Sequence, residues 1–260
     1  MKNLALSLCA MTAITISGCA SFADMAGADS ATLNAQSAQS FSKMTQEARA
    51  KNQLDMSSNT YQRINSVFLR LKPYADQMNQ TGQRFEWQLA VLKSDTVNAY
   101  VAPGGKVVFY TGIVNKLNLT NDEIAAIMGH EMTHALEEHA KSKIGAQSLT
   151  NIVIDVGKSY AEAHGANIGD LGNAAIALGS QIGIGLPYSR NLESRADYGG
   201  LMLMARAGYN PNAAISLWEK MDRLDGASGS SFLSTHPSNS QRIGDMRKNL
   251  PAAMAVYKRR

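Results

Sequence analysis

The chain has 260 residues, of which 45% are hydrophobic and 18% charged, and its formal net charge is +4. This length suffices for one catalytic domain, because a domain of about 240 residues buries about 70% or more of its unfolded surface. The weak positive charge does not indicate nucleic-acid binding, and no glycine-rich phosphate loop follows a predicted strand. We therefore expect no nucleic-acid partner.

The first residues have the pattern of a secretory signal. Lys2 precedes an apolar stretch over residues 4–16, which is too short to be taken first as a membrane span. Ile16-Ser17-Gly18-Cys19 resembles a lipobox, which predicts a signal peptide over residues 1–18 and acylation of Cys19. Cleavage near Ala20 and an uncleaved anchor are the alternatives. Ala rather than Asp after the cysteine favours the outer membrane of a bacterial envelope, with the protein lipid-anchored on the periplasmic side.

The second feature of the N-terminal region is its lack of disulfide chemistry. Cys9 lies in the predicted signal and Cys19 would carry lipid, so the mature chain has no thiol left to pair.

Residues 19–58 are rich in Ala, Ser, Gln and Asn and predict an acylated tether of low order, part of it helical. We expect the catalytic domain over residues 59–260.

A helix and three strands are predicted next. The helix begins near Thr60 and is expected to end at Pro73, and a strand is expected over residues 85–91, where apolar and polar side chains alternate. Residues 97–102 and 106–111 flank Pro103-Gly104-Gly105, a composition typical of a turn. These two segments are predicted to pair as a hairpin.

The sequence His130-Glu131-Met132-Thr133-His134 is the most informative motif. A capping box, Thr120-Asn121-Asp122-Glu123, predicts the start of a helix just before it. Positions i and i+4 share a helix face, so His130 and His134 can bind one metal ion while Glu131 leans toward its open side. His139 would point about 140° away from His134 on a continuous helix, which indicates a packing or surface residue.

A catalytic zinc ion usually takes three protein ligands and keeps one position for water. Glu193 is the best candidate for the third ligand, because it begins a predicted helix on which Asp197 lies four residues later. Asp197 would then accept a hydrogen bond from the outer N–H of a liganding histidine. A solvated charged face is the alternative interpretation of this segment.

The remaining part of the chain is predicted to be largely helical. The apolar stretch over residues 174–187 is shorter than the roughly twenty residues of a spanning helix and contains polar interruptions. A helix is expected after Pro211, and residues 225–231 are expected to form a flexible loop. Residues 165–185 and 226–231 are rich in glycine or small residues, and we expect one or both to cover the groove in the resting protein.

Four blocks of the sequence, taken together, resemble one peptidase family. They are Asn98-Ala99-Tyr100-Val101-Ala102-Pro103-Gly104-Gly105-Lys106, the H-E-x-x-H helix, Glu193-Ser194-Arg195-Ala196-Asp197, and Thr235-His236-Pro237 with Arg242. In this order they are similar to the gluzincin peptidases related to HtpX and the CAAX prenyl endopeptidases, over roughly residues 55 to 250. Because no long apolar span is evident, the chain looks closest to the soluble bacterial lipoprotein branch, the YggG-like (LoiP-like) proteins.

The resemblance implies a fold and a set of roles. The fold is α+β, a mainly helical zincin-type domain with a small mixed or antiparallel sheet beside the H-E-x-x-H helix. One Zn²⁺ per chain would be held by His130, His134 and Glu193, with Glu131 as general base. His236 is the implied donor to the oxyanion, with Tyr188 or Tyr198 as alternatives.

The resemblance also implies how substrate binds. In such peptidases the edge strand beside the zinc binds an extended polypeptide, and the candidate strand consists of Lys106, Val107, Val108, Phe109 and Tyr110. Backbone hydrogen bonds would then grip the substrate with little sequence preference. The alternative is that this strand is internal to the sheet.

Two functions remain open at this point. The first is a zinc-dependent endopeptidase that cleaves unfolded or misassembled envelope proteins with a metal-activated water, with Glu131 taking up the proton. The second is a lipid-anchored periplasmic chaperone or assembly factor with little or no proteolysis. An intact Glu131 favours the first, because a pure binder has no need of a general base there. Partner proteins in the envelope cannot be named from the sequence.

Overall fold

The structure is a computed structural model that describes residues 16–25, 27–148, 188–228, 231–236 and 240–259. The chain divides into two compact units, Met1–Thr32 with Ala140–Ile184 and Leu33–His139 with Gly185–Arg260. In the first unit, helix α1 spans Ile16–Met25 and residues 140–148 are helical. There the ammonium nitrogen of Lys141 lies 2.7 Å from Oδ1 of Asp24.

Helices dominate the rest of the described chain. They are α2 (Ser30–Ala50), α3 (Asn59–Met78), α4 (Thr111–Lys116), α5 (Asn121–Leu136), α6 (Arg190–Arg206), α7 (Asn212–Ser228), α8 (Ser231–Thr235) and α9 (Ser240–Tyr257). The strands are β1 (Leu54–Asp55), β2 (Gln88–Leu92), β3 (Ala99–Ala102) and β4 (Lys106–Tyr110). This composition confirms the predicted mainly helical α+β fold with a small sheet.

The sheet has the strand order β1-β2-β4-β3. Strands β2 and β4 are parallel, with Ala90 opposite Val108, whereas β1 with β2 and β3 with β4 are antiparallel. The sheet is therefore mixed, and β4 lies between two neighbours. Within the described residues, β1 and β3 are its edges.

The hairpin predicted around Pro103-Gly104-Gly105 is confirmed, because β3 and β4 pair with Ala102 opposite Lys106. Gly104 and Gly105 both have positive φ angles, 73° and 79°, as a tight hairpin turn requires. A Cβ on Gly105 would lie 2.6 Å from the ring of Trp87, so glycine is needed there for space as well.

The region expected to be a tether of low order differs from that expectation. Residues 30–50 form the continuous helix α2, in which Leu33 and Ala48 are buried. After it, Leu54 and Asp55 pair with Leu92 and Val91 of β2. A long helix and a short strand of the sheet therefore precede the expected boundary at residue 59.

Helix α3 does not end at Pro73 but continues to Met78. The side chain of Ser58 accepts a hydrogen bond from the backbone N–H of Tyr61 and starts the helix. Its buried face includes Leu71 and Ala75, on both sides of the proline. A proline removes one hydrogen bond from a helix interior. The helix nevertheless continues, because its buried face packs against the core both before and after Pro73.

Helix α5 begins as predicted, with both hydrogen bonds of the capping box between Thr120 and Glu123 present. It crosses α6 at close range: a Cβ on Gly129 would lie 2.8 Å from the carbonyl oxygen of Gly200. Both glycines therefore let the two backbones approach. This close packing holds the helices that carry the site residues side by side.

The C-terminal helices complete the second unit. The predicted loop over residues 225–231 is wrong in its first half, since α7 continues through Ser228; residues 229–230 lie outside the described residues. Buried Leu217 and Trp218 of α7 and Met246 of α9 belong to the same hydrophobic core as Met132 of α5. Among the described residues, no helix combines the length and apolar character needed to cross a membrane.

Candidate metal centre

Four buried side chains meet in one group, formed by His130, His134, Glu193 and His236. One donor atom of each lies within 4.8 Å of the others. Nε2 of His130 is 3.0 Å from Nε2 of His134 and 3.5 Å from Oε2 of Glu193, and Nε2 of His134 is 3.4 Å from Oε1 of Glu193. The three ligands predicted from the sequence are thus brought together, with His236 beside them.

Glu193 reaches this group from the first turn of α6. That helix starts at Ser189, whose side chain accepts a hydrogen bond from the backbone N–H of Leu192. Nη1 of Arg242 lies 2.7 Å from Oε2 of Glu193, so a guanidinium from α9 fixes the carboxylate. The sequence placed Arg242 only within a motif and gave it no role; a long-range contact of this kind leaves no local signal.

Asp197 lies where the sequence predicted, behind a histidine of the motif. Its Oδ1 is 3.0 Å from Nδ1 of His130, and Arg242 donates to both carboxylate oxygens at 2.8 and 2.7 Å. Burial alone would raise the pKa of Asp197, but the contacts with His130 and Arg242 hold it below its usual value. Asp197 is therefore an ionised carboxylate in contact with the outer nitrogen of His130.

These contacts test whether the group fits a metal ion. An ionised carboxylate 3.0 Å from Nδ1 of His130 favours the proton on that nitrogen, which leaves the lone pair on Nε2 when the ring is neutral. That lone pair faces the other imidazole and the carboxylate of Glu193. Converging lone pairs in a buried site repel one another unless a cation lies between them. The donors therefore fit a divalent metal ion.

The position of His139 corrects the predicted direction of its side chain, which was expected to point away from His134. It is fully buried, and its Nδ1 is 2.8 Å from Nδ1 of His134. The prediction assumed a continuous helix, but α5 ends at Leu136 and Glu138 has a φ of 50°, so the chain turns and brings His139 back. Nothing in the local sequence marks this turn, because Glu138 is not a glycine or asparagine.

Glu131 is buried beside the group, on the side of the sheet. Burial raises the pKa of its carboxyl, while His236 and His130 oppose that effect. The carboxylate lies near the backbone of Val101 in β3, and Oε1 lies 3.4 Å from Nε2 of His236. A carboxyl with a raised pKa is suited to take up and return a proton near neutral pH.

His236 follows α8 and is held from two sides. The backbone N–H of Phe232 donates to the carbonyl of Val97 over 3.0 Å, and the Phe232 ring stacks on His236 with centroids 4.6 Å apart. Nδ1 of His236 lies 3.2 Å from Nε2 of His130 and 3.0 Å from Oε1 of Glu193. In this arrangement the expected oxyanion donor lies among the potential metal ligands.

The two tyrosines considered as alternatives to His236 differ in position. The ring of Tyr188 stacks on His134 with centroids 4.1 Å apart, and burial raises the pKa of its phenol. Tyr198 is 45% exposed. Of the two alternatives, the structure brings Tyr188 to the group.

The strand expected to bind substrate, Lys106–Tyr110, is not an edge strand. It pairs with β2 on one side and β3 on the other, so its backbone groups are already used within the sheet. The prediction of an edge strand is wrong because β4 also pairs in parallel with β2, and the sequence of the β3–β4 hairpin does not indicate that second partner. Among the described residues the edge beside Glu131 is β3, whose Val101 contacts the carboxylate.

Several predictions concern segments that the structure leaves out. The apolar stretch over residues 174–187 and the glycine-rich stretch over residues 165–185 lie outside the described residues, as does Pro237. Most of the predicted signal, residues 1–15, also lies outside. Cys19 falls within α1, but its side chain is not described.

Comparison with known proteins gives a family. Residues 58–250 match the profile of peptidase family M48. The chain is 37% identical over 170 residues to the mitochondrial metalloendopeptidase OMA1 of Schizosaccharomyces pombe, covering 65% of this chain and 48% of that protein. It therefore spans about half the length of this relative.

Two Escherichia coli proteins are also similar. Metalloprotease LoiP is 27% identical over 175 residues, which cover 67% of this chain and 66% of LoiP. Metalloprotease YcaL is 24% identical over an alignment of 260 residues that covers 96% of this chain and 98% of YcaL. The match to YcaL thus extends over almost the full length of both chains.

Proposed function

Because the chain belongs to peptidase family M48, we propose that it is a zinc-dependent endopeptidase that cleaves unfolded or misassembled proteins of a bacterial envelope. The observation that carries this proposal is the convergence of His130, His134 and Glu193 beside a buried Glu131. A metal-binding group next to a general base is the arrangement that hydrolysis requires and that binding alone does not.

His130, His134 and Glu193 would hold one Zn²⁺ per chain. When bound, the metal supplies a Lewis acid that polarises the scissile carbonyl and lowers the pKa of water. Glu131 takes the proton of the attacking water into its carboxylate and then returns it to the departing amine. Its raised pKa favours uptake of the proton, and its burial beside His236 and the backbone of Val101 restricts its orientation.

Strand β3 is the proposed binding strand for the substrate. Strand β3 pairs with β4 on one side, among the described residues its other side has no neighbouring strand, and its Val101 lies near Glu131. An extended polypeptide added along this edge would run next to the general base. Folded proteins rarely offer a free extended segment, so this mode of binding favours unfolded or misassembled substrates.

His236 is proposed to stabilise the oxyanion. Its Nδ1 lies within the group of donors, and its Nε2 lies 3.4 Å from Oε1 of Glu131, next to the proposed general base. Loss of one such donor lowers kcat about 10²–10³-fold, which is the expected result for His236→Ala. A rise in activity would show instead that His236 acts as a ligand that closes the site.

Attachment to the outer membrane through Cys19 completes the proposal. It is supported by the charged start, the short apolar stretch and the lipobox-like sequence before the cysteine. Cys19→Ser should abolish labelling with radioactive palmitate and release the protein from the outer-membrane fraction. Unchanged labelling and fractionation of this variant would rule out the anchor at Cys19.

The proposed peptidase activity is tested with purified Cys19→Ser protein from which metal has been removed by a chelator. Zinc should restore cleavage of unfolded casein, and native globular proteins should be cut far more slowly. Glu131→Gln should bind about one zinc per chain and abolish cleavage, whereas the exposed-site control Glu219→Gln should cleave like the parent. Zinc-loaded parent protein that prevents aggregation but does not cleave would favour the chaperone alternative.

A further inference from the structure

The outer nitrogen of His134 faces another histidine rather than a carboxylate. Nδ1 of His134 is 2.8 Å from Nδ1 of His139, and Nε2 of His139 is 3.2 Å from Oε2 of Glu137. We propose that Glu137 and His139 are positioning residues, which hold His134 in the tautomer that presents its Nε2 lone pair to the metal. This inference rests on the metal site of the proposed function.

The direction of the hydrogen bonds follows from the carboxylate at the end of this chain. An ionised carboxylate only accepts, so Nε2 of His139 carries a proton. The two Nδ1 atoms share one hydrogen bond, so one of them accepts; when Nε2 of His134 binds the metal, the proton of that ring is on its Nδ1, and Nδ1 of His139 accepts. The donor is therefore Nδ1–H of His134, which leaves the lone pair of that ring on Nε2.

This tautomer is the one that the metal group requires. Nε2 of His134 lies 3.0 Å from Nε2 of His130 and 3.4 Å from Oε1 of Glu193. The opposite tautomer would place an N–H in the middle of the group, where it repels a cation and cannot bind one. Glu137 thus determines, through His139, which nitrogen of His134 is available.

The turn after α5 makes this arrangement possible. The helix ends at Leu136, and the positive φ of Glu138 folds the chain so that His139 reaches back to His134. Nε of Arg195 lies 2.6 Å from the same oxygen of Glu137 that faces His139. Since Arg195 belongs to α6, the contact ties the end of α5 to the helix that carries Glu193.

Each histidine of the motif is therefore backed by a carboxylate and an arginine. Asp197 contacts His130 directly and is held by Arg242, whereas Glu137 acts on His134 through His139 and is held by Arg195. A carboxylate that accepts the outer N–H of a metal-binding histidine fixes its tautomer and ring direction, and its loss lowers metal affinity. We assign the same physical role to both arrangements.

Glu137→Gln provides the main test, because an amide can donate as well as accept and no longer dictates the proton on His139. Zinc affinity, measured against a competing chelator, should weaken about 10–100-fold. The visible spectrum of the cobalt-substituted protein should change, since it reports ligand geometry. Glu138→Gln removes the same charge one residue away and should leave affinity and spectrum unchanged.

Two substitutions of His139 separate orientation from packing. His139→Asn keeps a side-chain acceptor for Nδ1–H of His134 and should retain most of the zinc affinity, whereas His139→Leu fills the space without an acceptor and should lose it. Denaturant unfolding of the metal-free variants shows whether the affinity loss exceeds any loss of stability. If His139→Leu does not fold, the partly exposed Glu137 still decides the question.

Parent-like zinc affinity in Glu137→Gln would overturn the inference while leaving the proposed function intact. An affinity loss of the same size in His139→Asn and His139→Leu, matched by the loss of metal-free stability, would also overturn it, since packing would then account for the effect. Absence of zinc binding and cleavage in the parent protein would refute the proposed function itself, and the inference with it.

Discussion

The two histidines of the motif are held by surroundings of opposite character. Behind His130, the side chains of Asp197 and Arg242 are 6% and 3% exposed, and Arg242 also lies over the Trp218 ring, 4.1 Å from its centroid. Behind His134, the side chains of Glu137 and Arg195 are 29% and 41% exposed. The chemistry of the groups is the same, but water reaches only the second pair.

The difference matters because burial sets the cost of breaking an ion pair. A buried charge that loses its partner has no water to replace it, whereas an exposed charge is solvated at once. Arg242 also serves two carboxylates, Glu193 and Asp197, so its loss would leave two negative charges in the interior. We therefore expect the His130 side to determine stability and the His134 side to act mainly on metal affinity.

The largest effect is expected for Arg242→Met, which keeps much of the side-chain length but removes the charge. The metal-free protein should lose about 3–5 kcal/mol of unfolding free energy, because two carboxylates remain buried without a counterion. Chemical denaturation in the presence of a chelator measures this value. A loss below about 1 kcal/mol would place Arg242 in the same class as an exposed arginine and remove the contrast between the two sides.

The approach of the two helices on the His130 side gives the next effect. A Cβ on Gly200 would lie 2.8 Å from the backbone nitrogen of His130, so Gly200→Ala should force α5 and α6 apart and cost about 1–3 kcal/mol. Zinc affinity should fall as well, because α6 carries Glu193. In Gly244→Ala, on α9, the new methyl group meets nothing within 4 Å, and that variant should match or slightly exceed the parent in stability.

The relation between these helices shows which features the sequence could predict. The pairs His130 with His134 and Glu193 with Asp197 are each four residues apart, so helix geometry alone places them on one face. The hairpin at Gly104-Gly105 and the capping box at Thr120 are equally local. Each of these predictions depends on contacts within a few residues, and the structure places the residues accordingly.

The features that could not be predicted depend on distant contacts or on an unmarked turn. Strand β4 is internal because it pairs in parallel with β2, and such pairing is set by the core rather than by the strand itself. His139 reaches His134 because Glu138 adopts a positive φ that its residue type does not favour. Arg242 approaches Asp197 from another helix, 45 residues away in the chain.

Asp197→Ala tests the metal-directed part of the His130 side. Nδ1 of His130 loses its acceptor, while Arg242 can still hold Glu193, so zinc affinity should weaken about 10–100-fold without abolishing binding. Chelator competition measures the change, and Asp245→Ala, at a partly exposed aspartate of α9, is the matched control. Undiminished affinity would show that His130 needs no acceptor. Complete loss of binding would assign Asp197 a larger role than orientation.

The smallest effects on unfolding free energy are expected for replacement of the exposed arginines. Nε of Arg195 is 2.6 Å from Glu137, and Nη2 of Arg247 is 3.2 Å from Glu219, with the Arg247 side chain 60% exposed. Arg195→Met and Arg247→Met should each change the unfolding free energy by at most about 1 kcal/mol, and added salt should reduce the difference further. Arg247 lies on the same helix as Arg242, so it separates the effect of burial from that of the helix. If Arg195→Met lost as much unfolding free energy as Arg242→Met, solvent exposure would not distinguish the His130 side of the site from the His134 side.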